Sequence, residues 1–242
     1  MPGKINVILD IDNTIVEKTH TKDGKWAALP EAERAKYKYV DEFVLRPHFK
    51  EFFQELKKLA KSINLWTWSD DRYAKNVKRM IEAETGVRVG HVWSEAHAQG
   101  AEDEFNGGKD LRYIWKEQGV FQPCDTVLID DLPGNVESKW NYQNGIRVKP
   151  FALWGRVKHS QPYGPYQDLS NDRTLLEVID ALKKLDASSD FCPPGKEWDE
   201  GPFKDSALQI GLGRKRRTRK RKLTRRASRR YATARTGGAG RS

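Results

Sequence analysis

Residues 5–15 read INVILDIDNTI, an apolar run that ends in two aspartates one residue apart. Ile5, Val7, Ile8 and Leu9 have the β-branched, bulky composition of a strand buried in a parallel sheet. Asp10 and Asp12 then concentrate negative charge at a strand end that is nearly buried. Such a place tolerates two carboxylates only beside a cation or with a proton bound.

Outward from this strand, the pattern alternates. Pro47 to Ala60 reads as a helix with Pro47 at its first position and Phe49, Phe52, Phe53, Leu56 and Leu59 on one face. Ile63 to Trp66 is a second strand, followed by Thr67, Trp68 and Ser69. Asp70 or Asp71 then caps a helix with Tyr73, Val77, Met80 and Ile81 inward and Gly86 as its stop. Residues 95–108 (EAHAQGAEDEFNGG) read as a loop, and Leu111, Ile114 and Trp115 as a helix ended by Gly119. Thr126 to Ile129 is a third strand running into Asp130 and Asp131, and Ile146 to Val148 a fourth. A last amphipathic helix spans Arg173 to Leu185. Strands alternating with helices predict an α/β fold with a mostly parallel central sheet.

The net charge of +10 hides a division. Residues 213–242 hold 14 Lys and Arg and no acid, which leaves 30 basic against 34 acidic side chains in residues 1–212. The expected organisation is a folded domain over 1–186, an irregular linker or packing segment over 187–212, and a disordered basic tail over 213–242. Cys124 and Cys192 are too few for a disulfide framework and read as two reduced thiols of an intracellular protein. No run is long and apolar enough to span a membrane, and the N-terminus has no signal-peptide core.

Three strands thus end in chemically capable residues: Asp10 and Asp12, Thr67, and Asp130 and Asp131. Ligands of open α/β sheets bind at the carboxyl ends of strands. If these strands are neighbours, four carboxylates and a hydroxyl converge, and Lys109, beside Gly107 and Gly108, can join them. Oxygen ligands without clustered His or Cys favour magnesium, and magnesium with a lysine makes a receptor for a phosphoryl group. Asp10 is then a candidate nucleophile toward phosphorus and Asp12 a candidate acid/base. A calcium loop fits poorly, because Ile15 and Thr21 stand where such a loop needs Gly and Glu. A two-component receiver domain carries its acidic pair on the first strand, whereas IDD here follows a late one.

The chain resembles the haloacid dehalogenase superfamily of phosphotransferases through DIDNT at 10–14, Thr67 after an apolar run, Lys109, and IDD at 129–131. It is more narrowly similar to the small phosphatases of the RNA polymerase II C-terminal domain. LRPHFKEF at 45–52, LWTWSDDRYA at 65–74, GKDL at 108–111 and LIDDLPGN at 128–135 carry that likeness, over residues 4–185. The resemblance implies a Rossmann-like fold with helices on both sheet faces and Asp10 as phosphoryl acceptor. It also implies Asp12 as acid/base and as a magnesium ligand through its backbone carbonyl. Thr67 would bond a phosphoryl oxygen, Lys109 would neutralise its charge, Asp131 would complete the magnesium shell and Asp130 would orient it. Asn13 stands where the family usually has Glu, and Trp68 where it has a small residue.

The span from Ser69 to Lys109 is too short for a large cap domain, which suits a phosphorylated protein segment as substrate. The expected function is a magnesium-dependent phosphoserine or phosphothreonine phosphatase acting through an aspartyl-phosphate, with the polymerase C-terminal domain as one such substrate. The alternatives are a nucleic-acid phosphatase and a non-catalytic scaffold of the same fold; the intact Asp10 and Asp12 argue against the scaffold. Residues 214–242 suit RNA, DNA or a nuclear-import receptor, and hence a nuclear location.

Overall fold

The computed structural model describes residues 5–19, 24–105, 108–118, 121–138, 141, 143–154, 164–186 and 208–211. The quoted strand, β1 (Ile5–Leu9), runs through the middle of a six-stranded sheet. It pairs in parallel with β5 (Ala60–Trp66) on one side and β7 (Thr126–Asp130) on the other. β6 (Val92–Trp93) lies outside β5, while β8 (Gly145–Val148) and β9 (Leu208–Ile210) extend the sheet beyond β7, all in parallel. The carboxyl ends of β5, β1 and β7 are therefore adjacent.

Alternation along β1 sorts the core into two layers. Ile5, Val7 and Leu9 pack with α3 (Phe49–Leu59), α4 (Asp71–Thr85) and α8 (Thr174–Asp186), whose inward residues include Phe52, Val77 and Val178. Ile8 points to the other face, with Trp66, Leu128 and the residues Ala101, Leu111 and Val136 of α5 (Glu95–Phe105), α6 (Leu111–Gln118) and α7 (Pro133–Val136). Helices cover both faces, as expected. The α4 boundaries follow their sequence signals: Asp70 accepts the Tyr73 backbone N–H at 2.8 Å, and Gly86 closes the helix at φ 67°.

Four local expectations are corrected. The stretch 95–108 holds α5, whose buried positions are only Ala98 and Ala101, so large apolar periodicity never marked it. Pro47 precedes α3, which starts at Phe49 after His48 at φ 65°. Leu208–Ile210 adds a sheet strand inside the stretch read as irregular. Cys124, in the 3-10 turn before β7, is disulfide-bonded rather than a free thiol. The expected disordered tail lies outside the described residues.

A small unit inserted between β1 and α3 was not foreseen. α1 (Lys25–Ala28) and α2 (Glu31–Arg34) lead into an antiparallel sheet of β2 (Val16–Lys18), β4 (Phe43–Leu45) and β3 (Tyr39–Val40). It has its own cluster, in which Tyr37 and Val44 meet Phe151 and Leu153 and Trp26 stacks on Tyr39 at 5.1 Å. No large cap interrupts the chain between Ser69 and Lys109, where the described residues form α4, β6 and α5. Among the described residues no helix is long and apolar enough to cross a membrane.

Candidate active site

Asp10 follows β1 directly, and its backbone N–H bonds Ile129 O at 2.9 Å, which locks it to the neighbouring strand. Its side chain is held at both oxygens. Lys109 Nζ donates to Oδ1 at 2.5 Å and Thr14 Oγ1 donates to Oδ2 at 2.9 Å. Lys109 is itself buried and donates to Asp130 Oδ2 at 2.8 Å, so one ammonium bridges two strand ends. Asp130 is held further: Leu132 N–H donates to Oδ1 at 2.7 Å and Asn135 Nδ2 to Oδ2 at 2.8 Å. Asn141 secures the Lys109 segment, donating to Lys109 O at 2.5 Å and accepting from Leu111 N–H at 3.0 Å.

Asp10, Asp130 and Asp131 each bring a carboxylate oxygen within 4.8 Å of the others, and all three are buried. Two of these three carboxylates, Asp10 and Asp130, bond the buried ammonium of Lys109. Burial pushes the Asp10 carboxyl up to about 8; the charge of Lys109 opposes this, while Asp130 and Asp131 add to it. Burial alone would lower Lys109, but Asp10 and Asp130 outweigh it and hold the ammonium charged. The excess of buried negative charge and the all-oxygen donor set fit a hard divalent cation, for which Asp10, Asp130 and Asp131 are the available carboxylates.

Asp12 stands apart from that cluster. The Tyr73 hydroxyl donates to its Oδ1 at 2.5 Å, and burial raises its carboxyl above the usual range against that hydrogen bond. A carboxyl that readily holds a proton near a phosphoryl site is suited to acid/base work. Thr67 lies at the end of β5, on the strand next to β1; its Oγ1 accepts the Ser69 N–H at 3.0 Å, which leaves its own hydroxyl proton to be given elsewhere.

The structure thus joins Asp10, Lys109 and Asp130 by hydrogen bonds, brings Asp131 within 4.8 Å of the two aspartates, and sets Asp12 and Thr67 at the same carboxyl end of the sheet. Thr14, Tyr73, Asn135 and Asn141 are the supporting residues that sequence reasoning missed. Thr14 lay inside the quoted motif, and Tyr73 was read only as an inward helix residue.

Asn13 takes the left-handed conformation at φ 59°, which Asn adopts more readily than most residues. Its carbonyl accepts Phe151 N–H at 2.7 Å.

No curated protein sequence matches the chain. Among solved structures, fission yeast RNA polymerase II CTD phosphatase Fcp1 bound to beryllium fluoride is 19% identical, with TM-score 0.45, over 76% of this chain and 52% of that one. A second structure of Fcp1 is 18% identical, with TM-score 0.45, over 78% and 55%. A Thermotoga maritima protein described as a beta-phosphoglucomutase is 14% identical, with TM-score 0.40, over 74% and 99%. The chain spans about half the length of the two Fcp1 structures. The sequence model of the NLI interacting factor-like phosphatases matches residues 5–192, most of the chain. On that match, the chain belongs to the NLI interacting factor-like phosphatase family of the haloacid dehalogenase superfamily.

Proposed function

We propose that the protein is a magnesium-dependent phosphatase that cleaves phosphoserine or phosphothreonine in a protein segment through an aspartyl-phosphate. The observation that carries this reading is the fixed Asp10 carboxylate, held by Thr14 and by a lysine shared with Asp130, beside an Asp12 outside the cluster. An Asp10 oxygen attacks phosphorus while the bond from phosphorus to the serine or threonine oxygen breaks. Asp12 gives its proton to that leaving oxygen. Water then attacks the same phosphorus, Asp12 takes the water's proton, and Asp10 and inorganic phosphate are released. Lys109 and the Thr67 hydroxyl stabilise the phosphoryl oxygens. A divalent cation held by Asp10, Asp130, Asp131 and the Asp12 carbonyl would add Lewis-acid stabilisation of the phosphoryl charge.

The polymerase C-terminal domain, named as the substrate of Fcp1, is the first phosphoprotein to try. Residues 214–242 serve in this reading as an arm for RNA, DNA or an import receptor, and a nuclear location follows from it. The basic arm also favours a second reading, a phosphatase of nucleic-acid ends.

The test is a panel of phosphopeptides and 5′- or 3′-phosphorylated oligonucleotides, with magnesium and with chelator, for the wild type and Asp10→Asn. We expect peptide turnover that the chelator and Asp10→Asn both abolish. Magnesium at about a hundredfold its dissociation constant should also stabilise the fold by about 2.7 kcal/mol, read as a raised Tm that Asp131→Asn diminishes. Turnover surviving in Asp10→Asn would remove the nucleophile assignment.

A further inference from the structure

Two large apolar side chains are exposed among the described residues, Trp68 and Leu132, each 37% accessible. Scattered surface hydrophobics need no explanation, but these two are not scattered. Trp68 directly follows Thr67 at the end of β5, and Leu132 directly follows Asp131 at the end of β7. β5 and β7 are the two neighbours of β1, so the pair stands on opposite sides of Asp10. With adjacent strands ~4.8 Å apart, the two backbones are separated by roughly 10 Å across the site.

Both are held by the site itself. Leu132 N–H donates to Asp130 at 2.7 Å, and the Ser69 N–H beside Trp68 donates to Thr67 at 3.0 Å. The Trp68 indole lies so close over Gly108 that a Cβ there would fall 2.1 Å from its Cζ2. The residue before Lys109 is therefore one whose missing side chain leaves room for the ring.

We infer that Trp68 and Leu132 are specificity-determining residues that select phosphorylated segments with apolar side chains on both sides of the phosphorylated residue. This inference rests on the phosphatase reading of the same site. An extended chain advances ~3.3 Å per residue, so positions within two of a phosphoserine seated over Asp10 reach both rims. A peptide uses both apolar rims. A nucleic-acid end would stack a base on Trp68 alone, leave Leu132 idle, and bring further phosphates towards the acid-rich site of Asp10, Asp12, Asp130 and Asp131.

The experiment measures kcat/KM of the full chain on four phosphoserine peptides: apolar on both sides, on either side alone, and polar throughout. Free phosphoserine and a 5′-phosphorylated oligonucleotide are run alongside. We expect the doubly apolar peptide to be preferred, by about tenfold per apolar side from partial burial of one side chain. Trp68→Ala should erase the preference on one side and Leu132→Ala on the other, while Trp68→Phe retains it. Turnover with no flank preference, or a preference that survives both alanine variants, overturns the inference and leaves the phosphatase reading intact. Preference for the oligonucleotide over every peptide overturns it in favour of a nucleic-acid substrate. Inertness toward all substrates removes the phosphatase reading and this inference with it.

Discussion

Tyr73 holds one oxygen of the Asp12 carboxyl group in place. Its hydroxyl donates to Oδ1, and the Ser69 side chain also hydrogen-bonds this carboxyl group. The ring is held edge-on by Phe43 at 5.7 Å and capped by Lys18 Nζ at 4.7 Å, contacts a phenylalanine could keep. Tyr73→Phe should therefore fold, and slow the step that needs a proton. We expect a loss of about tenfold in kcat on phosphoserine peptides, whose alkoxide leaving group needs protonation, and a much smaller loss on an aryl phosphate, whose phenolate does not. Equal losses on both would reduce Tyr73 to a packing residue. Such a role is illegible in sequence, because the contact joins positions 61 apart. Asp10, Lys109, Asp130 and Asp131 were legible because each sits at a strand end or beside glycine, in an order few folds share.

Among the elements, the link between the β1 turn and α8 depends on one buried ion pair. Arg46, after β4, pairs with Asp172 before α8 at 3.0 Å, and donates to Thr14 O and Lys149 O at 2.8 Å each. The turn that carries Thr14, and through it Asp10, is fixed by this guanidinium. Asp172→Asn leaves the cation buried without its charge partner, a change that costs about 3–5 kcal/mol. Burial would raise Asp172, but the hydrogen bonds and charge of Arg46 outweigh it and hold the carboxyl below the usual range. A depressed native value means stability that is present above the unfolded carboxylate pKa and lost as pH falls through the folded one. The gap between wild type and Asp172→Asn in denaturant midpoints should be widest near neutrality and narrow in acid below the usual carboxylate range. A gap that does not change with pH would mean the pair is not ionic. The Arg-Pro at 46–47 was visible in sequence, whereas its partner was not. Likewise β1, β5 and β7 announced themselves as apolar runs. The three strands of the small sheet, two or three residues each, lacked the length for any period to show.

At the scale of the whole chain, charge is divided rather than balanced: 14 cations without an acid in residues 213–242 follow a region with four more acids than bases. That division alone predicts electrostatic binding to polyanions by counterion release. If roughly six to ten phosphates are engaged, affinity for RNA or DNA should fall by about 10³–10⁵ between about 50 and 200 mM salt. Ser228 follows Arg225, Arg226 and Ala227. A phosphate there would subtract up to about two charges and weaken binding. Deleting residues 214–242 leaves β9 and Gly211 in place, so the six-stranded sheet keeps its edge. Every proposed catalytic group also precedes Leu132. The truncated chain should lose nucleic-acid affinity and keep its turnover of a short phosphopeptide, measured by filter binding across salt and by phosphate release. Binding that ignores salt, or peptide turnover that falls with the deletion, would show that the basic residues act within the catalytic unit instead of beside it.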